Sequence, residues 1–550
     1  MVFDLLLKDG EVIDGTGAPR KKADVGLVGQ RVALLGPGDG ATASRVIDVH
    51  GLVVCPGFVD LHTHNDFLLP LKDHDVVIEP FVRQGITTMV TGNCGLAPAP
   101  LDPSTQSQLQ GYSEFLMDEP LNWDWETMGD FLNFLSDQGV IVNCAQLCAH
   151  GTLRIAAMGM AGRTPTEVEL DRMCEMAKES IQAGVFGFSN GLMYPPGMYA
   201  HTDEIIEISS LFHDSGGVIT SHIRGYSDTM LDAINELIRV GQEAQVRVQL
   251  SHLGAFGRRH WLKVYDAVEA VEKAHERGVD IHFDIVPWVA GNTSLAAIFP
   301  PFAVEGGIQR LLERLHDPVL RRQIRSEVLN YVPQWPPWEE GGGWSDNLSK
   351  SFGWENIIIL SMGTNKSSPL IGMSLVQIGE VWDLEPFDVA VRLLEQENGN
   401  VFCAFVGLTG DFERQDIIQD MLVHPLCVII TDAISQRDAI PMPSLYGTFP
   451  RLLGHFARDL QALSLEEAVR KITSLPAGII GLQDRGVLKE GAFADVTIIN
   501  PHTVQGMSAY FQEKPELPRG IEYVVVNGQV IFENDVLHSD KRAGAVLRKA

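Results

Sequence analysis

Phe58-Val59-Asp60-Leu61-His62-Thr63-His64 is the stretch that decides the fold. An apolar, strand-like run ends in two histidines at alternate positions, and alternate residues of an extended segment share a face. Both imidazoles therefore reach one point just beyond a strand end. The arrangement recurs along the chain. Thr87–Thr91 leads into Gly92-Asn93-Cys94, Val218–Ser221 into His222, Arg247–Ser251 into His252, and Val428–Thr431 into Asp432. Strand-like and helix-like segments alternate between these points, as in βα units on a parallel sheet. Eight strands are expected, ending near Leu61, Thr91, Leu147, Ser189, Ser221, Ser251, Ile285 and Thr431. Eight such units make a (β/α)8 barrel, whose strand ends converge on one mouth. The strand count is exposed between Ile285 and Thr431, where Ile357–Leu360 is also strand-like.

The flanks differ from the middle. Phe3–Leu7 and Glu11–Asp14 surround Lys8-Asp9-Gly10, which reads as a β-hairpin, and Tyr523–Val526 and Gln529–Phe532 surround Asn527-Gly528, a stronger hairpin signal. Residues 1–57 and 485–550 are thus expected to pair into one small composite β domain, with 58–484 forming the barrel. Pro300-Pro301 and the Pro/Gly-rich run 333–343 mark an insertion at about 289–352, whose Trp335 and Trp338 either cover the barrel mouth as a lid or pack the insertion to the barrel. Thr164-Pro165-Thr166-Glu167 and Ser464-Leu465-Glu466-Glu467 carry helix-start signals.

Composition narrows the partners. The chain has 550 residues, 45% of them hydrophobic, which suffices for a large core. Lys and Arg number 42 against 71 Asp and Glu, a net charge of −29, which repels phosphate backbones and argues against nucleic acid. Seven cysteines, an odd number, suggest no disulfide framework. Neither a signal peptide nor a membrane span is read, so a small-molecule substrate and a reducing cytoplasm are expected, with a homo-oligomer left open.

His62, His64, Cys94, His222 and His252 are the donor types zinc prefers. A lone His-x-His is common by chance, and a lone Cys after a strand more often packs than ligates. Their coincidence at several strand ends, with Asp432, points to a metal site. The Cys144-x₃-Cys148 pair reads as core.

Asp60-Leu61-His62-Thr63-His64-Asn65-Asp66 resembles the signature of the amidohydrolase superfamily. Thr91-Gly92-Asn93-Cys94-Gly95-Leu96-Ala97-Pro98, Ser221-His222-Ile223-Arg224, Gln249-Leu250-Ser251-His252-Leu253 and Tyr446-Gly447-Thr448-Phe449-Pro450-Arg451 resemble the N-acyl-D-amino-acid deacylase (D-aminoacylase) family in particular. The resemblance implies a distorted TIM barrel with a small β-sandwich domain built from both termini. It implies zinc, one ion tight at Cys94, His222 and His252 and a second, weaker one at His62 and His64 sharing Cys94. Cys94 takes the bridging place that a carbamylated Lys holds in many relatives. Asp432 is implied as the catalytic carboxylate, moving a proton from water to the leaving nitrogen of an amide. Four residues are candidate substrate contacts, each with a second reading. His150 donates to the substrate or ties loops together. Tyr194 does likewise or packs in Tyr-Pro-Pro. Arg224 anchors a carboxylate or pairs with an acid. Trp288 lines the pocket.

The chain departs from the family where a substrate carboxylate is expected to bind. Gly254 stands for the usual Lys, Val286 for a Tyr in Asp284-Ile285-Val286-Pro287-Trp288, Ala433 follows Asp432, and Met442-Pro443-Ser444 replaces a His-Pro-Arg run. A zinc-dependent hydrolase of N-acyl compounds is therefore expected, with a more neutral or bulkier substrate than an N-acyl-D-amino acid. A cyclic amide or imide, carbamate or lactone hydrolase of the same superfamily, and a non-catalytic scaffold, are the alternatives.

Overall fold

Eight short parallel strands, most of them fully buried, surround one axis in a computed structural model that describes residues 2–38, 40–337, 343–506, 509–512 and 515–549. They are Phe58–Asp60, Ile86–Thr91, Asn143–Gln146, Gly187–Gly191, Val218–His222, Arg247–Leu250, Ile281–Ile285 and Cys427–Ile429. Each lies at an expected position. Buried on both faces, they mix apolar side chains with buried polar ones such as Asn143, Gln146, Ser189, Asn190 and Asp284.

The barrel is distorted because its hydrogen bonding breaks in two places. The first three strands form one arc, and the fourth to eighth form another. At the first break, Cys148–Ala149 turns away from the third strand to pair with the fourth, Phe188 facing Cys148. Val546–Leu547 fills the space left below, pairing in parallel with Cys144 and Ala145. By sequence this tail belonged to the small β domain, yet it completes the barrel wall. Gly544 permits the approach, since a Cβ there would meet the Val142 carbonyl oxygen at 2.2 Å. At the second break, side chains stitch the eighth strand to the first: the Thr431 hydroxyl donates to Asp60 at 2.5 Å, and the Asp432 amide to the His62 carbonyl at 3.2 Å.

A nine-stranded sheet gathers both ends of the chain and curls around its own core of Leu5, Leu7, Val25, Val54, Val496 and Val525. The Asn527-Gly528 hairpin forms, with positive φ at both residues (47° and 83°), as a type I′ turn requires. Asp9-Gly10 is not a turn. Val2–Val12 is one strand, and Asp9, at φ 65°, sits in a bulge between Leu7 and Gly10. The bulge lets one strand serve two partners, Thr42–Asp48 along its first half and Val53–Val54 along its second. A turn and a bulge ask for the same left-handed residue, so the dipeptide fits both.

Between the seventh and eighth barrel strands the chain leaves the barrel, with elements from Ala290–Ser294 to Asp416–Leu422, well past residue 352. Ile357–Met362 joins Ala290–Ser294 and Val401–Val406 in a separate antiparallel sheet, so the strand-like run there adds nothing to the barrel. Trp338 lies outside the described residues. The helix Glu167–Ala183 starts two residues later than the Thr164-Pro165 signal suggests. Thr166 and Glu169 form the reciprocal capping box, and Gly184 ends the helix in the left-handed region. Among the described residues no helix is long and apolar enough to cross a membrane.

Candidate metal centre and substrate cavity

Cys94, His252 and Asp432 stand on strand-end turns with φ of 51°, 36° and 48°, a left-handed conformation that L residues adopt at a cost. Surrounding contacts hold each there. The Gly92–Gly95 loop lies so close to the fourth strand that a Cβ on Gly191 would meet the Cys94 carbonyl oxygen at 2.0 Å. The Ser189 hydroxyl donates to the Gly92 carbonyl and accepts from the Gly95 amide, aiming Cys94 inward. Asp284, at the end of the seventh strand, accepts the His252 amide at 2.6 Å and the Gln249 side-chain amide at 2.7 Å. Burial pushes its carboxyl up to about 8.

All five expected ligands converge. Cys94 Sγ lies 3.2 Å from His62 Nε2, 3.6 Å from His222 Nδ1 and 3.5 Å from His252 Nε2. Asp432 lies 3.4 Å from His62 Nε2 and 3.5 Å from His64 Nε2. Three overlapping groups form: His62, His64 and Cys94; Cys94, His222 and His252; His62, His252 and Asp432. Within each, the donor atoms lie within 4.8 Å of one another.

The chemistry of this set fits a divalent cation. A single thiol proton cannot serve three imidazole nitrogens, and burial, with Asp432 and Asp284 nearby, pushes the Cys94 thiol well up, so a thiolate here needs a cation beside it. Burial also pushes His62, His222 and His252 down, which keeps them neutral, as ligands must be. Nδ1 of His64 and Nε2 of His222 are buried without a hydrogen-bond partner. Burial alone would raise Asp432, but positive charge across from it at His62, His64 and His252, with the His64 hydrogen bond, holds it well below the usual carboxylate range; with the imidazoles neutral as ligands, a bound cation would supply that charge. It is ionised at neutral pH.

A cavity opens over the cluster, and His64, Cys94, His222, His252 and Asp432 line it. Of the four candidate substrate contacts, Tyr194 and Trp288 reach it. The Tyr194 ring packs on His222, centroids 4.7 Å apart, and the Trp288 indole donates to Thr448 Oγ1 at 3.0 Å beneath the Arg451 guanidinium. His150 and Arg224 do not reach it. His150 and Arg154 both bind buried Glu204, at 2.8 and 2.6 Å. Arg224 holds Glu236 at 2.8 Å and the Met198 and Ala200 carbonyls, because its strand stops at His222. Glu204 lies 54 residues from His150, and Glu236 only 12 from Arg224, one of several acids within reach, so the second reading given for Arg224, pairing with an acid, is the one the structure shows.

Sequence reasoning also passed over much of the wall. Phe115, Thr293, Leu348, Phe352, Phe405 and Thr409 line the cavity, most of them from the excursion after the seventh strand, and they carry no periodic signal. Tyr226 backs the cluster, its ring against His222 and His252 at 5.1 and 5.4 Å. Among the described residues no Lys or Arg lines the cavity. Gly254 faces it, and a Cβ there would sit 3.0 Å from Thr409 Oγ1, a hydroxyl already accepting the Ala255 amide.

The amidohydrolase family model matches residues 45–318 and 404–532. The chain belongs to the amidohydrolase family. It is 32% identical to a D-aminoacylase of Alcaligenes xylosoxydans xylosoxydans over 548 residues, covering 100% of this chain and 98% of that one. A solved D-aminoacylase, studied for one-metal activation and second-metal attenuation of its binuclear centre, is 32% identical with a TM-score of 0.80, over 99% of this chain and 100% of that one. An N-acyl-D-glutamate deacylase from Bordetella bronchiseptica, solved with zinc and a phosphonate mimic of the tetrahedral intermediate, is 28% identical with a TM-score of 0.81, over the full length of both. The D-aminoacylase group is thus where this amidohydrolase sits, and its barrel with a terminal β-sandwich is the group's fold.

Proposed function

We propose that this amidohydrolase is a zinc-dependent N-acyl hydrolase whose substrate is uncharged and apolar around the amide, rather than an N-acyl-D-amino acid. The observation that carries this reading is the cavity wall. Gly254 and Val286 contribute neither charge nor hydroxyl, and Leu253, Phe256, Trp288 and Leu408 surround them. A substrate carboxylate moved there from water finds no cation, and an unpaired buried charge is strongly disfavoured. An apolar group gains from the same transfer.

Cys94, His222 and His252 would hold the tight ion, with His62 and His64 beside it. A divalent ion in this cluster supplies Lewis acidity toward water and the amide carbonyl. The protein's own residues do the rest. Asp432 accepts the proton of the attacking water and returns it to the departing nitrogen as the C–N bond breaks, so amide and water give a carboxylic acid and an amine. The apolar wall excludes bulk water and strengthens each polar interaction inside it. Tyr194 lies over His222 and is placed to contact the acyl group.

A panel of N-acetyl-D- and L-amino acids, their neutral amides, N-acyl alkylamines and carbamates, assayed with zinc-replete and chelated enzyme, tests the reading. Neutral members should be preferred. Preferential turnover of N-acetyl-D-amino acids would overturn it. Restoring a cation supplies the converse test: Gly254→Lys, which needs a small shift of Thr409, should raise kcat/KM for carboxylate substrates and lower it for neutral ones.

A further inference from the structure

The cavity over the metal cluster has a neighbour. A second, smaller chamber lies against it, and Phe115, Met193, Tyr194 and Thr293 line both. One layer of side chains separates the two spaces. Part of that layer is a hydrogen-bonded pair, the Tyr194 hydroxyl donating to Thr293 Oγ1 at 3.1 Å. A passage between the two spaces would need these two side chains to rotate apart. Beyond it, Met198, Phe299, Ile308 and Trp344 make an apolar lining, and small Ala296 and Ala297 leave the space open. Tyr112, Glu114, Ser294 and Asn400 are polar exceptions, and no Lys or Arg lines the chamber among the described residues.

Resting on the N-acyl reading above, we infer that the second chamber receives the far end of a long apolar arm of the substrate, threaded past Tyr194 and Thr293 from the amide held at the metal cluster. The ligand chemistry is an unbranched hydrocarbon arm, on the acyl or the amine side of the amide. Ala297 lies on the second chamber alone and so sets the length accepted without touching the reacting atoms. Each methylene that enters should raise kcat/KM by up to about fourfold, the worth of a buried CH₂, until the chamber is full.

Two series test this in the zinc-loaded enzyme: acetyl to dodecanoyl on one small apolar amine, and acetyl on methylamine to dodecylamine. Each is run with the natural protein, Ala297→Leu and Ala297→Trp, with thermal melts to confirm folding. One series should climb with length and so identify the side that carries the arm. Ala297→Trp should remove the climb, Ala297→Leu should cut it off at an intermediate length, and the acetyl compounds should be hydrolysed as before. Should the Trp variant fail to fold, the Leu variant carries the test. Equal turnover at every length in both series, or the same climb in all three proteins, would overturn this inference alone. Absence of turnover with every member would overturn the N-acyl reading and this inference with it.

Discussion

Asp432 is the residue whose surroundings most constrain its role. Positive charge in the facing cluster keeps it ionised despite burial, and it stands at a strand end with φ 48°, within 3.4 and 3.5 Å of His62 and His64. Asp432→Asn keeps the shape and removes the base. Its kcat should fall roughly 10²–10⁴-fold, the usual worth of a positioned general base, while metal content by elemental analysis stays unchanged. Loss of metal together with activity would make Asp432 mainly a ligand. At this scale the sequence was legible wherever a residue's place follows from the end of a strand. His62, His64, Cys94, His222, His252 and Asp432 all sit at such ends. His150 was not legible in the same way, because its partner Glu204 is distant in the chain, and for Arg224 the sequence left two readings open, of which pairing with an acid is the one found.

Elements are held by the same buried ion pairs. Glu204, on the helix Thr202–Ser210, ties that helix to Arg154 and His150 on the helix His150–Met158. Burial alone would raise the Glu204 carboxyl, but its hydrogen bonds and charge pairing with His150 and Arg154 hold it down at about 2, against an ordinary 4.5. A depressed carboxyl contributes stability that is present above its unfolded value and lost as pH falls through the folded one. Glu204→Gln should therefore cost about 3 kcal/mol at pH 7, and the difference from the natural protein should shrink between pH 4.5 and pH 2, as read by urea unfolding. A pH-independent difference would locate the loss in packing instead. The eight barrel strands were legible because βα alternation is local. The Asp9 bulge and the separate sheet after the seventh strand were not, because both depend on which distant strand is the partner.

The whole molecule is closed by its own tail. Val546–Leu547 occupies the gap between the third and fourth barrel strands, and the Lys549 amide donates to the Gly184 carbonyl at 2.8 Å. Ending the chain at residue 541 exposes that gap and should lower stability by about 2–4 kcal/mol, through lost apolar burial and orphaned backbone groups. A thermal melt of the shortened chain checks this, and an unchanged Tm would show the tail to be dispensable. Barrel, tail and terminal sheet together serve one purpose in this account, which is to bring a thiolate, four imidazoles and a carboxylate around a single cation under an apolar roof. The most direct measurement is a zinc titration of the chelated enzyme followed by turnover of a neutral N-acyl amide, for the natural protein and for Cys94→Ala. Activity of the natural protein should rise with the first equivalent of zinc, and Cys94→Ala should neither retain the ion through dialysis nor recover activity. Full activity in the chelated enzyme, or zinc held equally well without Cys94, would contradict the account.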